Sequence, residues 1–382
     1  QEAFTAANTQ RAMTVRALSD ASDTSALAGP EDISQTRSEG AGVGYGLMAG
    51  HIAQAGRHAG LRRLFTVYNP LPFAREELAE FPVWDWQGDV KRMKWTDDRG
   101  NALPHQVVSS RFDNYWGHLH ADMLVKVKVP AMGYATIVLD EETPATFGME
   151  EIGPRVDKPL CGVLENEFLR AELCTRDGGI LSLVDKRTGV EYVKPGSPMG
   201  VFRLVEENTG RGMSAWWVGQ YRNVRQLNRG VKIKGIKDGT VRQSLAYEAD
   251  FGNGSKLAVT VSLNSGETML RFDATVRWQE IGTLETFFPQ LNFFMPVAYD
   301  YQAIRYDVPM GAIDRAPMEI DVPAQSYGMP LNAGGNPLML ISDSKYGYRG
   351  TAEGLSLTLI RSSVDPDPWP EVGEHRIRMA IA

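Results

Sequence analysis

From Leu64 onward, apolar and polar side chains alternate with a period close to two, in short runs broken by Gly, Pro, Asn and Asp. Such alternation puts successive side chains on opposite faces and predicts strands with one buried face. Leu124-Val-Lys-Val-Lys-Val129 alternates strictly, and Phe65-Thr-Val-Tyr68 runs into the proline-punctuated turn Asn69-Pro-Leu-Pro72. Pro130-Ala-Met-Gly-Tyr134 turns the chain into a further strand, Ala135-Thr-Ile-Val-Leu139. Strands so closely spaced predict a small antiparallel β-sandwich over residues 62–145. After a loop rich in Glu, Thr and Pro, residues 146–382 carry longer apolar runs: Val163 to Leu173, Ile180 to Val184, Leu257 to Leu263, Met269 to Trp278 and Leu355 to Ile360. Asp177-Gly-Gly179, Lys186-Arg-Thr-Gly189, Asn253-Gly254 and Asn264-Ser-Gly266 supply the turns. That much strand in one region predicts a large two-sheet supersandwich.

Only the N-terminal region departs from this texture. Residues 1–22 bring Phe4, Ala7, Val15 and Leu18 near one face at a 3.6-residue period, which predicts an amphipathic helix. Residues 23–61 are dominated by Gly, Ala, Ser and Pro and read as a linker. The expected fold class is therefore all-β with a short helical segment in front.

Composition narrows the partners. The chain has 382 residues and a net charge of −7, and its longest basic stretch, Val231-Lys-Ile-Lys-Gly-Ile-Lys237, alternates as the solvent face of a strand does. Phosphate neutralisation needs a basic stripe, so nucleic acid is not an expected partner. No apolar run is long enough to span a bilayer, so no membrane is expected either. Two cysteines, Cys161 and Cys174, fit buried thiols in neighbouring strands and a reducing, cytoplasmic location. The chain opens on Gln1 and stops within the strand-like Arg376-Ile-Arg-Met-Ala-Ile-Ala382. The expectation is that the natural polypeptide runs further in both directions.

Candidate chemistry is sparse. No Gly-x-Ser-x-Gly elbow, P-loop or Cys-x-x-Cys occurs. Gly117-His-Leu-His-Ala-Asp122 offers suitable zinc ligands, and on a strand His118, His120 and Asp122 share a face. The segment nevertheless runs straight into the strand Leu124–Val129, and it is read as sheet rather than as a metal site. Glu165, Glu167, Asp365, Asp367 and Glu374 can be paired on paper, but nothing in the sequence sets the separation that a catalytic carboxylate pair requires.

Several collinear segments resemble the C-terminal half of glycoside hydrolase family 38, the α-mannosidases. They are Val67-Tyr-Asn-Pro-Leu-Pro-Phe-Ala-Arg75, Val129-Pro-Ala-Met-Gly-Tyr134, Leu164-Glu-Asn-Glu-Phe-Leu-Arg170 and Asp177 to Gly189. Gly311-Ala-Ile-Asp-Arg-Ala-Pro317, Asp343-Ser-Lys-Tyr-Gly-Tyr348, Asp365-Pro-Asp-Pro368 and Gly373-Glu-His375 continue the series. Gly117–Asp122 copies the spelling of the family's metal motif, yet in the family that motif closes a barrel strand near the start of the protein. Trp369-Pro-Glu-Val372 also departs from the acidic run usual in the family.

The resemblance implies a catalytic N-terminal β/α barrel that holds a divalent metal, usually zinc, and works by a retaining two-carboxylate mechanism. A barrel of that kind takes about 250 residues, and the stretch before Phe65 is far too short for it. No catalytic residue, metal or cofactor is thus expected in this chain, whose partners would be its own barrel domain and an α-mannoside substrate. Residues 1–22 would be a remnant of the helical bundle that follows the barrel. The supersandwich resembles galactose mutarotase-like folds. Arg315, with Asp314 beside it, is the substrate-binding candidate: Gly311 and Pro317 bracket a loop from which a guanidinium could reach the sugar site. A competing role for Arg315 is an ion pair with Asp314 or Asp307. Two other functions remain open at this point. One is a free-standing carbohydrate-binding β module, with the eight tryptophans as stacking platforms. The other is a sugar epimerase, for which no His/Glu pairing is evident.

Overall fold

In the computed structural model the alternating runs form strands, and the structure describes residues 2–27, 62–84, 86, 88–113, 118–141, 161–210, 212–367 and 370–382. Residues 1–153 and 154–382 cluster into two compact units.

In the first unit, α1 (Glu2–Asp20) forms where the period predicts it. Its apolar face is uncovered, however: Phe4, Val15 and Leu18 are all exposed. Among the described residues six strands follow: β1 (Arg63–Asn69), β2 (Arg75–Trp84), β3 (Met93–Asp97), β4 (His105–Asp113), β5 (His118–Val129) and β6 (Gly133–Glu141). They make two antiparallel three-stranded sheets, in the orders β1-β6-β3 and β2-β5-β4. The inward faces of both supply one core, in which Phe81 of β2 lies 5.2 Å from Phe65 of β1 and 5.1 Å from Trp95 of β3. Asn69 explains the Asn-Pro turn. Its amide donates to the carbonyls of Phe73 and Pro130 at 2.7 and 2.9 Å, and its Oδ1 accepts from the Leu71 N–H. One side chain thereby ties the β1–β2 turn to the β5–β6 turn.

The Gly-His-x-His-x-Asp segment falls largely in β5, whose register is that of an ordinary strand, His120 opposite Trp84 and Asp122 opposite Pro82. Gly117 and the side chains of His118 and His120 lie outside the described residues. Asp122 accepts a hydrogen bond from the Ser109 hydroxyl.

The second unit begins with β7 (Cys161–Glu165), β8 (Leu169–Cys174), β9 (Ile180–Asp185), β10 (Val190–Glu191), β11 (Val201–Glu207), β12 (Tyr221–Gln226) and β13 (Lys232–Asp238). It continues through β14 (Arg242–Phe251), β15 (Ser255–Asn264), β16 (Leu270–Trp278), β17 (Phe288–Pro296), β18 (Ile304–Val308) and β19 (Gly311–Arg315). Six short or terminal strands complete it: β20 (Val322–Pro323), β21 (Tyr327–Pro330), β22 (Leu340–Ser342), β23 (Gly347–Gly350), β24 (Gly354–Arg361) and β25 (Gly373–Ile381). Among the described residues they build a four-stranded sheet, β10-β9-β8-β7, a six-stranded sheet, β12-β11-β17-β24-β23-β20, and a nine-stranded sheet, β13-β14-β15-β16-β25-β22-β21-β18-β19. The six- and nine-stranded sheets face each other across a shared core. Phe272 of β16 sits edge-on to Phe293 of β17 at 4.9 Å, and Phe293 meets Phe202 of β11 at 5.2 Å. The four-stranded sheet adds Leu164, Leu173, Ile180 and Leu183 to the same core. The all-β expectation holds.

Two sequence expectations are corrected in this unit. The run Val163 to Leu173 is two strands, because Asn166 turns the chain by accepting from the N–H groups of Phe168 and Leu169, both at 2.8 Å. Gly311–Pro317 is not a loop: Gly311–Arg315 is the edge strand β19, paired antiparallel with β18 so that Arg315 faces Ile304. The two cysteines do fall on neighbouring strands, Cys161 directly opposite Cys174, whose thiol is buried and free.

Candidate functional site

Strand β17, Phe-Pro-Gln-Leu-Asn-Phe-Phe-Met-Pro, is buried along its whole length. Leu291, Phe293 and Met295 point into the inter-sheet core, so by alternation Gln290 and Asn292 occupy the opposite face of the six-stranded sheet. That face is polar and closed over. Its centre is Glu207, at the end of β11 and 0% exposed, gripped by Arg361 from the end of β24. Arg361 Nε donates to Glu207 Oε1 at 2.7 Å and Nη2 to Oε2 at 2.8 Å. Gln290 Nε2 donates to Oε1 at 3.0 Å, and the Gly219 N–H to Oε2 at 2.9 Å.

The network extends sideways across the same face. Gln290 Oε1 accepts from the Tyr221 hydroxyl at 2.9 Å, and Arg203 Nε donates to Asn292 Oδ1 at 2.9 Å. Burial pushes the Tyr221 hydroxyl far above the usual phenol value. Burial also pushes the Arg203 guanidinium down to about 10, although it lies over the Phe294 ring at 3.8 Å. Arg349 lies over the Tyr221 ring at 3.5 Å and is fixed by Asp321 through a 2.6 Å contact from Nε to Oδ1. Asp321 Oδ2 in turn accepts from Thr358 Oγ1 at 2.8 Å.

This geometry limits the chemistry. Retaining glycoside hydrolysis needs two carboxyl groups about 5–5.5 Å apart, one free to give up a proton and one free to attack. Glu207 accepts four hydrogen bonds and Asp321 is held by an arginine and a hydroxyl. Both are committed to holding structure together. What they hold is the described loop of residues 212–220: Arg361 also donates to the carbonyls of Ser214 and Trp217, and Arg349 to that of Gly219. Ser214 is buried, and its hydroxyl accepts from the N–H groups of Val364 and Asp365. On this clamped loop Trp216 and Trp217 are 69% and 50% exposed.

The substrate-binding candidates lie on the β18–β19 hairpin. Asp314 is engaged by Arg305, with Nε to Oδ1 at 2.8 Å and Nη2 to Oδ2 at 2.9 Å. Asp307 accepts from the N–H groups of Gln325, Ser326 and Tyr327. Neither is the partner of Arg315, whose Nε is buried without a hydrogen-bond partner. Its charge opposes the upward push that burial exerts on the Tyr306 hydroxyl, which stands at about 12.

Sequence reading missed the polar face altogether, although a signal exists. Gln290 and Asn292 alternate with Leu291 and Phe293 in an otherwise apolar strand, and Arg361 ends another apolar run, Leu355–Ile360. Polar residues at period two in a strand of that kind mark a distinct second face. Among the described residues no three His, Cys, Asp or Glu side chains are grouped to hold a metal.

A two-unit all-β chain of this build is the class of protein the fold defines. The glycosyl hydrolases family 38 C-terminal domain model matches residues 164–369, more than half of the chain, and the chain belongs to that family. Human α-mannosidase 2C1 is 25% identical over 292 residues, a match covering 74% of this chain and 27% of that protein. α-Mannosidase G of Dictyostelium discoideum is 22% identical over 245 residues, covering 57% and 21% respectively. The chain thus spans about a quarter of the length of the curated relatives it matches. A family 38 glycosyl hydrolase structure from Enterococcus faecalis superposes with a TM-score of 0.63 at 15% identity, covering 85% of this chain and 44% of that one. At that identity the likeness is one of fold.

Proposed function

We propose that this chain is the non-catalytic C-terminal region of an α-mannosidase that cleaves α-linked mannosides by the retaining, metal-assisted route, with zinc and both catalytic carboxylates in a barrel domain outside residues 1–382. The observation that carries this reading is the family 38 C-terminal match over residues 164–369, together with two relatives that are α-mannosidases several times longer than the match. The commitment of Glu207 and Asp321 to arginines supports a structural role for the polar face. In this reading the partners are the barrel and the mannoside, and the two-cysteine composition favours the cytoplasm. Purified residues 1–382 should not turn over an aryl α-mannoside, with or without zinc, whereas the polypeptide that includes the barrel should. Hydrolysis by the 382-residue chain that a point substitution within it abolishes would overturn the proposal.

Arg315 is the residue proposed to reach the sugar site or its rim. Its buried, unpartnered Nε supports this, because an orphaned donor is costly unless an acceptor arrives from elsewhere. Asp314, paired with Arg305 on the exposed side of the hairpin, is proposed beside Arg315 as the second residue of that rim.

A further inference from the structure

Three loops leave the same end of the six-stranded sheet. The register sets Glu207 opposite both Tyr221 and Phe288, and Gln290 opposite Arg361, so the described loop residues 208–210 with 212–220, 279–287, and 362–367 with 370–372 emerge together. They are bonded to one another as well as to the sheet. The Ala215 N–H donates to the Asp365 carbonyl at 2.8 Å, and the Ser362 hydroxyl to the Glu280 carbonyl at 2.7 Å. Arg222, near the start of β12, donates to the Thr286 carbonyl at 3.3 Å. From this fixed platform Trp216, Trp217, Ile281, Leu284 and Val372 project as exposed apolar side chains.

We propose that this end of the sheet, centred on Trp216 and Trp217, is the surface on which the catalytic portion of the same enzyme docks. The inference rests on the proposed function and names the contact through which the two portions meet. Exposed apolar side chains gathered on neighbouring loops mark an interaction surface, and tryptophan is the commonest residue to dominate binding energy at such a centre. The buried Glu207–Arg361 pair and Ser214 hold the loop in place before anything binds, so little ordering entropy is lost on association. A sugar site would need several convergent polar groups around the indoles. Here Arg361, Ser214 and Asp365 are turned to loop contacts instead; of the exposed side chains on residues 279–287, Ile281 and Leu284 are aliphatic, Glu285 is charged, and the hydroxyls of Thr283 and Thr286 are bonded to each other. The length of the relatives beyond the match points to the occupant. The match covers 27% of the human relative and 44% of the Enterococcus chain, and the family model is that of a C-terminal domain.

The test is site-specific photo-crosslinking in the complete polypeptide, with a benzophenone amino acid placed at Trp216 and, in a second variant, at Leu284. Circular dichroism and melting checks keep only folded variants, and the second position serves if the first fails them. The expected product is a crosslink, mapped by mass spectrometry, to a residue preceding Gln1. Crosslinks confined to this chain, crosslinks to a second copy of the same peptide, or recovery of uncrosslinked protein would each overturn the docking proposal. So would retention of the complete polypeptide on a mannan column that is lost in Trp216→Ala. The readout does not depend on turnover. An inactive protein that crosslinks sinks the enzyme assignment and keeps the interface, whereas an active one that does not crosslink does the reverse.

Discussion

Arg361 and Glu207, 154 positions apart, meet fork to fork on the covered face of the six-stranded sheet, with nitrogen–oxygen distances of 2.7 and 2.8 Å and no water-exposed surface on the glutamate. Removing one partner of such a pair leaves a buried, uncompensated charge, which costs about 3–5 kcal/mol. Arg361→Met should therefore lower the stability of the larger unit by that amount in urea melts. The double variant with Glu207→Gln should recover a good part of it, since the amide carries no charge to strand. Equal losses in the single and double variants would contradict the pairing.

Asp307 predicts a pH effect. Burial alone pushes its carboxyl up, but the Ser326 hydroxyl and the N–H groups of Tyr327, Ser326 and Gln325 outweigh that and hold it below the usual carboxylate range. A carboxyl depressed in the folded state adds stability that is present above its unfolded value, about 3.9, and is lost as pH falls through the folded value. Asp307→Asn should be less stable than the parent near pH 7 by roughly 1 kcal/mol. The gap should close on acidification below about pH 4. Parallel stability curves from pH 7 to pH 3 would rule the account out.

Gly252 sits at φ +53°, and a Cβ built there would lie 2.1 Å from Glu280 Oε1. That carboxylate oxygen is already fixed by the Asn253 N–H and the Ser255 hydroxyl, each at 2.7 Å. Gly252→Ala should destabilise by about 1–3 kcal/mol, from positive φ and displacement of the carboxylate together. A melting temperature equal to the parent's would show that Glu280 is free to move.

The hairpin separates two roles by two readouts in the complete enzyme. Asp314→Ala removes an exposed pair with Arg305 and should leave the melting temperature nearly unchanged. Arg315→Ala should lower kcat/KM at least tenfold, about 1.4 kcal/mol, with little change in melting temperature. Activity that falls only in step with stability would make Arg315 structural.

The sequence by itself determined most of the strands, because a half-buried strand must alternate and its turns must use Gly or Asn. Gly189 at φ +72° and Gly254 at φ +103° stand at the hairpin tips that Lys186–Gly189 and Asn253-Gly254 announce. It also carried the family, through segments scattered from Val67 to His375. Tertiary structure alone decided which charges find each other. Arg305 takes Asp314 because the β18–β19 register sets them opposite, and Arg361 takes Glu207 because β17 lies between β11 and β24. Local alternation fixes which face a residue occupies. It says nothing of which strand will lie alongside, and so it could not show that the polar face of β17 would be covered or that Trp216 and Trp217 would be left outside.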